Sequence, residues 1–307
     1  VLIPTPGGPD VLTVGEHDVR EPGPGEIRIA VKAAAVNPTD IGLREHGAAP
    51  DLEPPWIPGM DAAGLVESVG EGVERLEVGQ EVMAALTPRR PEGGAQAELI
   101  VVPEESVALV PEGALLQQAA TLPMNGLTAL LGLEMLGLGA GRTLAVSGGA
   151  GLLASYVIAL AKERGLHVLA DAKPEDEDLV RSFGADLVVA RGEAFAEAIR
   201  ASEPDGVDGV YDTALLGEDA FGALRDGGAM AVVRGWNGPD PPRGIEIHKV
   251  FVRTVLHRTD WLEQLRALAS KGVLQLRIAG EYPPERAAAA HRVMEAGGLR
   301  GRALIVF

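Results

Sequence analysis

With 307 residues, 46% of them hydrophobic and 23% charged, the chain is long enough for two domains, or for one interrupted by another. A net charge of −17 repels phosphodiester backbones and anionic lipid, so no nucleic-acid or membrane partner is expected, although a pocket with a few local donors can still take an anionic cofactor. The absence of cysteine excludes disulfides, thiolate nucleophiles and any zinc site that uses Cys.

The first 120 residues read as short strands punctuated by Gly and Pro. Glu26-Ile27-Arg28-Ile29-Ala30-Val31-Lys32-Ala33 alternates at period two, and Ala62–Val69 and Glu81–Leu86 are further strands bounded by glycine. Helix formers take over after Pro111, at Leu115–Ala120 and Thr128–Leu136. A strand at Arg142–Ser147 leads directly into Gly148-Gly149-Ala150-Gly151, then a helix over Leu152–Arg164 and a strand at His167–Ala170 that ends at Asp171. Strands follow at Leu187–Val189, Gly209–Tyr211 and Ala229–Val233, with helices at Asp176–Phe183, Ala194–Ala201 and Asp219–Leu224. This alternation predicts a parallel sheet covered on both faces. A helix over Thr259–Gly272 and strands at Gln275–Ile278 and Ala303–Val306 complete the reading. No apolar run approaches the roughly 18 residues that span a bilayer and no signal peptide is recognised, so a cytoplasmic protein is expected.

Gly148, Gly151 and Ala154 form a G-x-x-G-x-x-A spacing between a strand and a helix. Small residues there let a phosphate approach the backbone, and the N–H groups opening the helix face the anion. Gly149, Ala150 and Leu152 belong to the same expected cradle. Asp171 lies 23 positions after Gly148, about where a carboxylate grips the ribose 2′-hydroxyl of NAD. Lys173 and Arg191 could instead meet the 2′-phosphate of NADP, so the local residues leave the choice of nucleotide open.

Several segments then agree with one family. Ala33-Ala34-Ala35-Val36-Asn37-Pro38-Thr39-Asp40 resembles an A-x-x-V-N-P-x-D segment, and Pro58-Gly59-Met60-Asp61-Ala62-Ala63-Gly64-Leu65-Val66 a P-G-x-D-x-A-G-x-V strand. Gly94–Glu98, Gly126-Leu127-Thr128-Ala129, Ala290-His291-Arg292 and Gly301-Arg302 match as well. Over its full length the chain resembles the zinc-independent medium-chain dehydrogenase/reductase superfamily, in the quinone oxidoreductase (zeta-crystallin-like) branch. The resemblance implies an α/β protein: a GroES-like β-rich catalytic domain from 1–120 and 262–307, with a doubly wound Rossmann domain, 121–261, inserted.

It also implies what the sites hold. Zinc-dependent relatives carry Cys where Asn37 stands and a His-Glu pair where Met60-Asp61 stands, so no metal is expected. The expected reaction is hydride transfer from NADPH to a quinone or other α,β-unsaturated carbonyl, with Asn37 and Thr128 beside the nicotinamide. The family usually places serine at Lys173 and often tyrosine at Arg191, so the exchanges here favour NADPH over NADH. Thr213 and Gly235-Trp236 follow strands and are expected at the cofactor pocket, Trp236 as a wall. The tyrosine common after N-P-x-D is missing from Ile41–His46, which leaves His46 as a candidate proton donor. Two other readings stand beside this one. An enoyl-thioester or enone reductase of a biosynthetic pathway would use the room left by small side chains at Gly47–Pro50. A non-catalytic NADPH-binding redox sensor would explain the altered glycine loop. A homodimer joined through an edge strand of the Rossmann sheet, with Ala229–Val233 compatible, is also implied.

Overall fold

The alternating residues at the start of the chain form β1 (Glu26–Ala35) in the computed structural model, which describes residues 1–48, 50–192 and 194–307. Of the Gly47–Pro50 stretch, Ala49 lies outside the described residues. After β1 the chain makes α1 (Pro38–His46), β2 (Asp61–Val69), β3 (Glu81–Ala85), β4 (Leu99–Pro103), β5 (Val107–Leu109), a short α2 (Leu116–Ala119) and α3 (Pro123–Leu136). Then come β6 (Thr143–Ser147), α4 (Leu152–Glu163), β7 (His167–Ala172), α5 (Glu177–Ser182), β8 (Leu187–Ala190), α6 (Phe195–Ser202), β9 (Val207–Asp212), β10 (Leu224–Val233) and β11 (Glu246–Val250). The chain closes with α7 (Thr259–Ser270), β12 (Ile278–Tyr282), α8 (Ala287–Ala296) and β13 (Arg302–Val306).

The residues divide into two compact units. The first comprises Val1–Met124, Val255–Gly272 and Leu276–Phe307; the second comprises Asn125–Thr254 and Val273–Gln275. The return to the first unit falls at Val255, not at 262 as the sequence suggests. Two bonds hold the segment there: Ser106 Oγ and His257 Nδ1 are 2.9 Å apart, and Thr259 Oγ1 donates to the Glu105 carbonyl at 2.9 Å.

The first unit is a GroES-like β-structure of seven strands in the order β12-β13-β1-β2-β3-β5, with β4 also paired to β1. Ile27, Ile29, Val31, Val66, Val82, Ile100 and Val102 supply its buried core. Residues 38–46, which carry no obvious helical periodicity, fold as α1 because Asn37 stands at the N-cap, Pro38 follows at the first position, and the Asp40 carboxylate turns back to the Asn37 N–H. The tail strand begins at Ile278, not at Gln275.

The second unit is a six-stranded parallel sheet, β11-β10-β9-β6-β7-β8, whose buried core includes Ala145, Leu169, Val210, Met230 and Val232. The strand order reverses between β6 and β9, and in such sheets ligands bind beyond the carboxyl ends of the strands at that point. Two expectations are corrected. Residues 217–223 form a 3₁₀ turn, so β10 begins at Leu224. Ala229–Val233 is an inner strand paired on both sides, and the edge on that side of the sheet is β11. Among the described residues no helix is long and apolar enough to cross a membrane.

Candidate functional site

In the first unit the N-P-x-D and P-G-x-D segments meet. The Asn37 amide Nδ2 donates to Asp61 Oδ2 at 2.6 Å, and Arg302 Nε donates to Asn37 Oδ1 at 2.9 Å. A flipped amide would set a carbonyl against a carboxylate and an NH₂ against a guanidinium, so this pair of partners fixes its orientation. Asp61 Oδ1 accepts the Met124 N–H in the first turn of α3 at 2.5 Å, where a carboxylate also complements the helix dipole. Asp40 accepts the N–H groups of Asn37 (2.7 Å) and Gly59 (2.8 Å). Asn37, Asp40 and Asp61 are each 0% exposed. Burial pushes both carboxyls up to about 7, against the opposing pull of these hydrogen bonds and the positive charge of Arg302.

The donors that could hold a metal are thus engaged with one another and with a guanidinium. Among the described residues no three His, Cys, Asp or Glu side chains converge. His46, the candidate proton donor, ends α1, and its side chain is largely exposed beside Glu45.

In the second unit Gly148 has φ +71°, a left-handed turn that glycine adopts without strain and that sends the chain from β6 towards α4. A Cβ on Gly151, the N-cap of α4, would meet the Gly148 carbonyl oxygen at 3.2 Å, a tight approach within the loop itself that a glycine avoids. The backbone N–H groups that open α4 have no partners within the helix. Leu152, at the first position of α4, is buried at 1% exposure. Ala150 is buried too.

The ends of β6 and β9 are tied together beside this loop. Ser147 Oγ donates to Asp212 Oδ1 at 2.6 Å, Thr213 Oγ1 donates to the Ser147 carbonyl at 2.6 Å, and the Ala214 N–H donates to Ser147 Oγ at 3.0 Å. Thr128 lies on α3, buried, and its carbonyl accepts the Tyr211 hydroxyl at 2.6 Å. Gly235 (φ +86°) follows β10, and Trp236 packs on Phe221 with ring centroids 5.6 Å apart while its indole N–H reaches the Pro239 carbonyl. Lys173 and Arg191 are exposed just past β7 and β8.

Asp171 departs from its expected place. It lies inside β7, and its Oδ1 accepts the Gly148 N–H at 2.5 Å with the Gly149 N–H 3.4 Å away. The structure therefore gathers Gly148–Leu152, Thr213, Asp171, Lys173 and Arg191 at the carboxyl end of one sheet. Asn37 belongs to the first unit and Thr128 to the second. Sequence reasoning did not single out Asp61, Arg302, Tyr211 or Asp212 as site residues, although Asp61 and Arg302 lie in the motifs quoted above.

The arrangement fits a dinucleotide: a small-residue turn leading into a helix start, and two exposed cations at the adjoining strand ends. Comparison with known proteins agrees. The profile of the Alcohol dehydrogenase GroES-like domain matches residues 23–112, and that named Zinc-binding dehydrogenase matches 183–305. The chain is 33% identical to the NADPH-dependent alkenal/one oxidoreductase of Arabidopsis thaliana chloroplasts over 97% of its own length and 77% of that protein. It is 29% identical to the quinone oxidoreductase of Mus musculus, over 98% of this chain and 95% of that one. A mycobacterial protein solved in complex with NADPH superposes with a TM-score of 0.87 at 27% identity, covering 100% of this chain and 99% of that one.

Proposed function

The chain belongs to the medium-chain dehydrogenase/reductase superfamily, in its quinone oxidoreductase branch, and is an NADPH-dependent oxidoreductase; from that premise we propose that it reduces α,β-unsaturated carbonyl compounds, simple enones and quinones among them, without zinc. The observation that carries the zinc-free part is the Arg302–Asn37–Asp61 chain, in which a guanidinium and an amide satisfy the groups that a metal would need. The alkenal/one oxidoreductase at 33% identity supports the acceptor class.

When bound, NADPH supplies a hydride from the nicotinamide ring to the electron-poor β-carbon, or to a quinone. The residues of this chain bind and orient. Gly148–Leu152 and the first turn of α4 receive the pyrophosphate, and Lys173 and Arg191 receive the 2′-phosphate. Asn37 and Thr128 orient the reacting groups, the first held by Asp61 and Arg302, the second by the Tyr211 bond to its own carbonyl. With no tyrosine in Ile41–His46, the proton that follows the hydride comes from water or a weak acid. We propose further that the protein is a homodimer joined through β11, whose outer edge has no strand partner among the described residues. Sedimentation at the monomer mass would remove that part.

The test is to titrate the protein with NADPH and NADH by nicotinamide fluorescence, then add a simple enone and, separately, a small quinone. Oxidation by the enone supports the proposal. Oxidation by the quinone alone narrows it to the second acceptor, and tight binding with no oxidation by either would favour a redox sensor.

A further inference from the structure

The acid at the end of the second strand of a dinucleotide fold is expected to face the ribose, where its carboxylate takes the 2′-hydroxyl. Asp171 is not free to do so. Its side chain is 4% exposed, Oδ1 is engaged by the Gly148 N–H at 2.5 Å, and Oδ2 lies 4.0 Å from Arg191 Nε. Strand alternation explains the direction. Asp171 pairs with Val189 inside β7, and Ala172, the last residue of the strand, pairs with Ala190. Asp171 and Ala172 are both buried, and the first exposed side chain past β7 is Lys173.

Arg191 is placed by two contacts, the approach of its Nε to Asp171 and the bond from its N–H to the Ala172 carbonyl at 2.9 Å. Its side chain remains 43% exposed, and among the described residues no hydrogen bond engages its Nη groups. Those two nitrogens form a planar fork suited to a phosphate, close to Lys173 in an otherwise acidic molecule of net charge −17. Burial raises the Asp171 carboxyl, opposed by the Gly148 N–H and the positive charge of Arg191, as expected of an acid that faces inward.

We infer that Asp171 is the positioning residue of the cofactor site and not a cofactor ligand: one oxygen clasps the glycine loop and the other sets Arg191 for the 2′-phosphate of NADPH. This rests on the reading of the chain as an NADPH-dependent enzyme and names how the preference is built. One acid thereby serves both nucleotides through the loop and favours only one of them through the arginine.

The experiment measures dissociation constants of NADPH and NADH for the wild type, Asp171→Asn, Asp171→Ala and Arg191→Ala, together with amide hydrogen exchange over 148–151. Arg191→Ala is expected to weaken NADPH about 10- to 100-fold and leave NADH within twofold, the loss of a charge-assisted bond. Asp171→Asn keeps an acceptor for the Gly148 N–H but loses the charge. It should weaken NADPH several-fold, leave NADH within twofold, and change loop exchange little. Asp171→Ala should weaken both nucleotides through the loop, NADPH by the further several-fold that Asp171→Asn shows, and speed exchange at 148–151. Should that variant not fold, the Asn variant alone decides. Asp171→Asn weakening NADH tenfold, with NADPH unchanged or tighter, overturns the inference, because a ribose contact would then have been removed. A wild type that binds NADH as tightly as NADPH would instead defeat the cofactor reading, while the loop exchange would still report on the clasp.

Discussion

The two units treat their polar groups in opposite ways. Around Asn37 in the first, donors and acceptors close on each other: Asp40, Asp61 and Asn37 have no exposure and Arg302 has 8%. Around Gly148 in the second, a carboxylate holds the loop through its backbone N–H while the cations Lys173 and Arg191 stay exposed. A closed network fixes geometry, and an open one receives a ligand. Substitutions in the first should therefore register mainly as stability, and in the second as affinity.

The largest expected effect tests the closed side. Arg302→Ala removes the donor to the buried Asn37 Oδ1 and the countercharge of two carboxyls that ionise above about 7, and should cost about 3–5 kcal/mol of unfolding free energy in urea at pH 8. A loss below about 1 kcal/mol would mean that the network is not a structural unit. On the open side, Lys173→Ala should weaken NADPH about tenfold, about 1.4 kcal/mol, with the unfolding midpoint nearly unchanged because the side chain is exposed. A large drop in stability there would erase the distinction between the units.

The pH dependence sharpens the same contrast. Asp40 and Asp61 keep their protons up to about 7 in the folded state, while in the unfolded chain they release them near the ordinary carboxyl value of 3.8. Their contribution is fully present below that value and is lost as pH rises through about 7. His291, pushed down to about 3 chiefly by burial and also by Arg44, acts with the opposite sign: its contribution is lost as pH falls from 6.5 towards 3. Between pH 5 and 7, Asp61→Asn should therefore lose less stability than the wild type, by up to about 1.4 kcal/mol per pH unit. Parallel curves for the two proteins would place the Asp61 carboxyl at an ordinary value. The smallest effect belongs to Trp236→Ala. Its ring packs on Phe221, so a loss of about 1–2 kcal/mol of stability is expected, and unchanged KM for both nucleotide and acceptor would remove it from the pocket.

The glycine loop was legible in the sequence because its signal is local: strand, turn and helix follow within a few residues of Gly148. The closed network was not, since Arg302 and Asn37 are 265 positions apart and only the folded sheet brings them together. Spacing found Asp171 but not the side to which it turns, because alternation along a strand reverses the direction with each residue. β11 escaped notice for another reason. Glu246-Ile247-His248-Lys249-Val250 is polar, as suits an edge, and lacks the apolar run that marks an inner strand.

The order of strands in the first sheet bears on how the protein comes to exist. β13 sits between β12 and β1, so a strand made early waits for a neighbour at Arg302–Val306 made almost 270 residues later. The strands of the second sheet all lie within 143–250. During synthesis the second sheet can therefore form while β1, covered by β4 along Glu26–Ala30, still lacks the partner of Ala33–Ala35, a short open edge that persists until β13 is made.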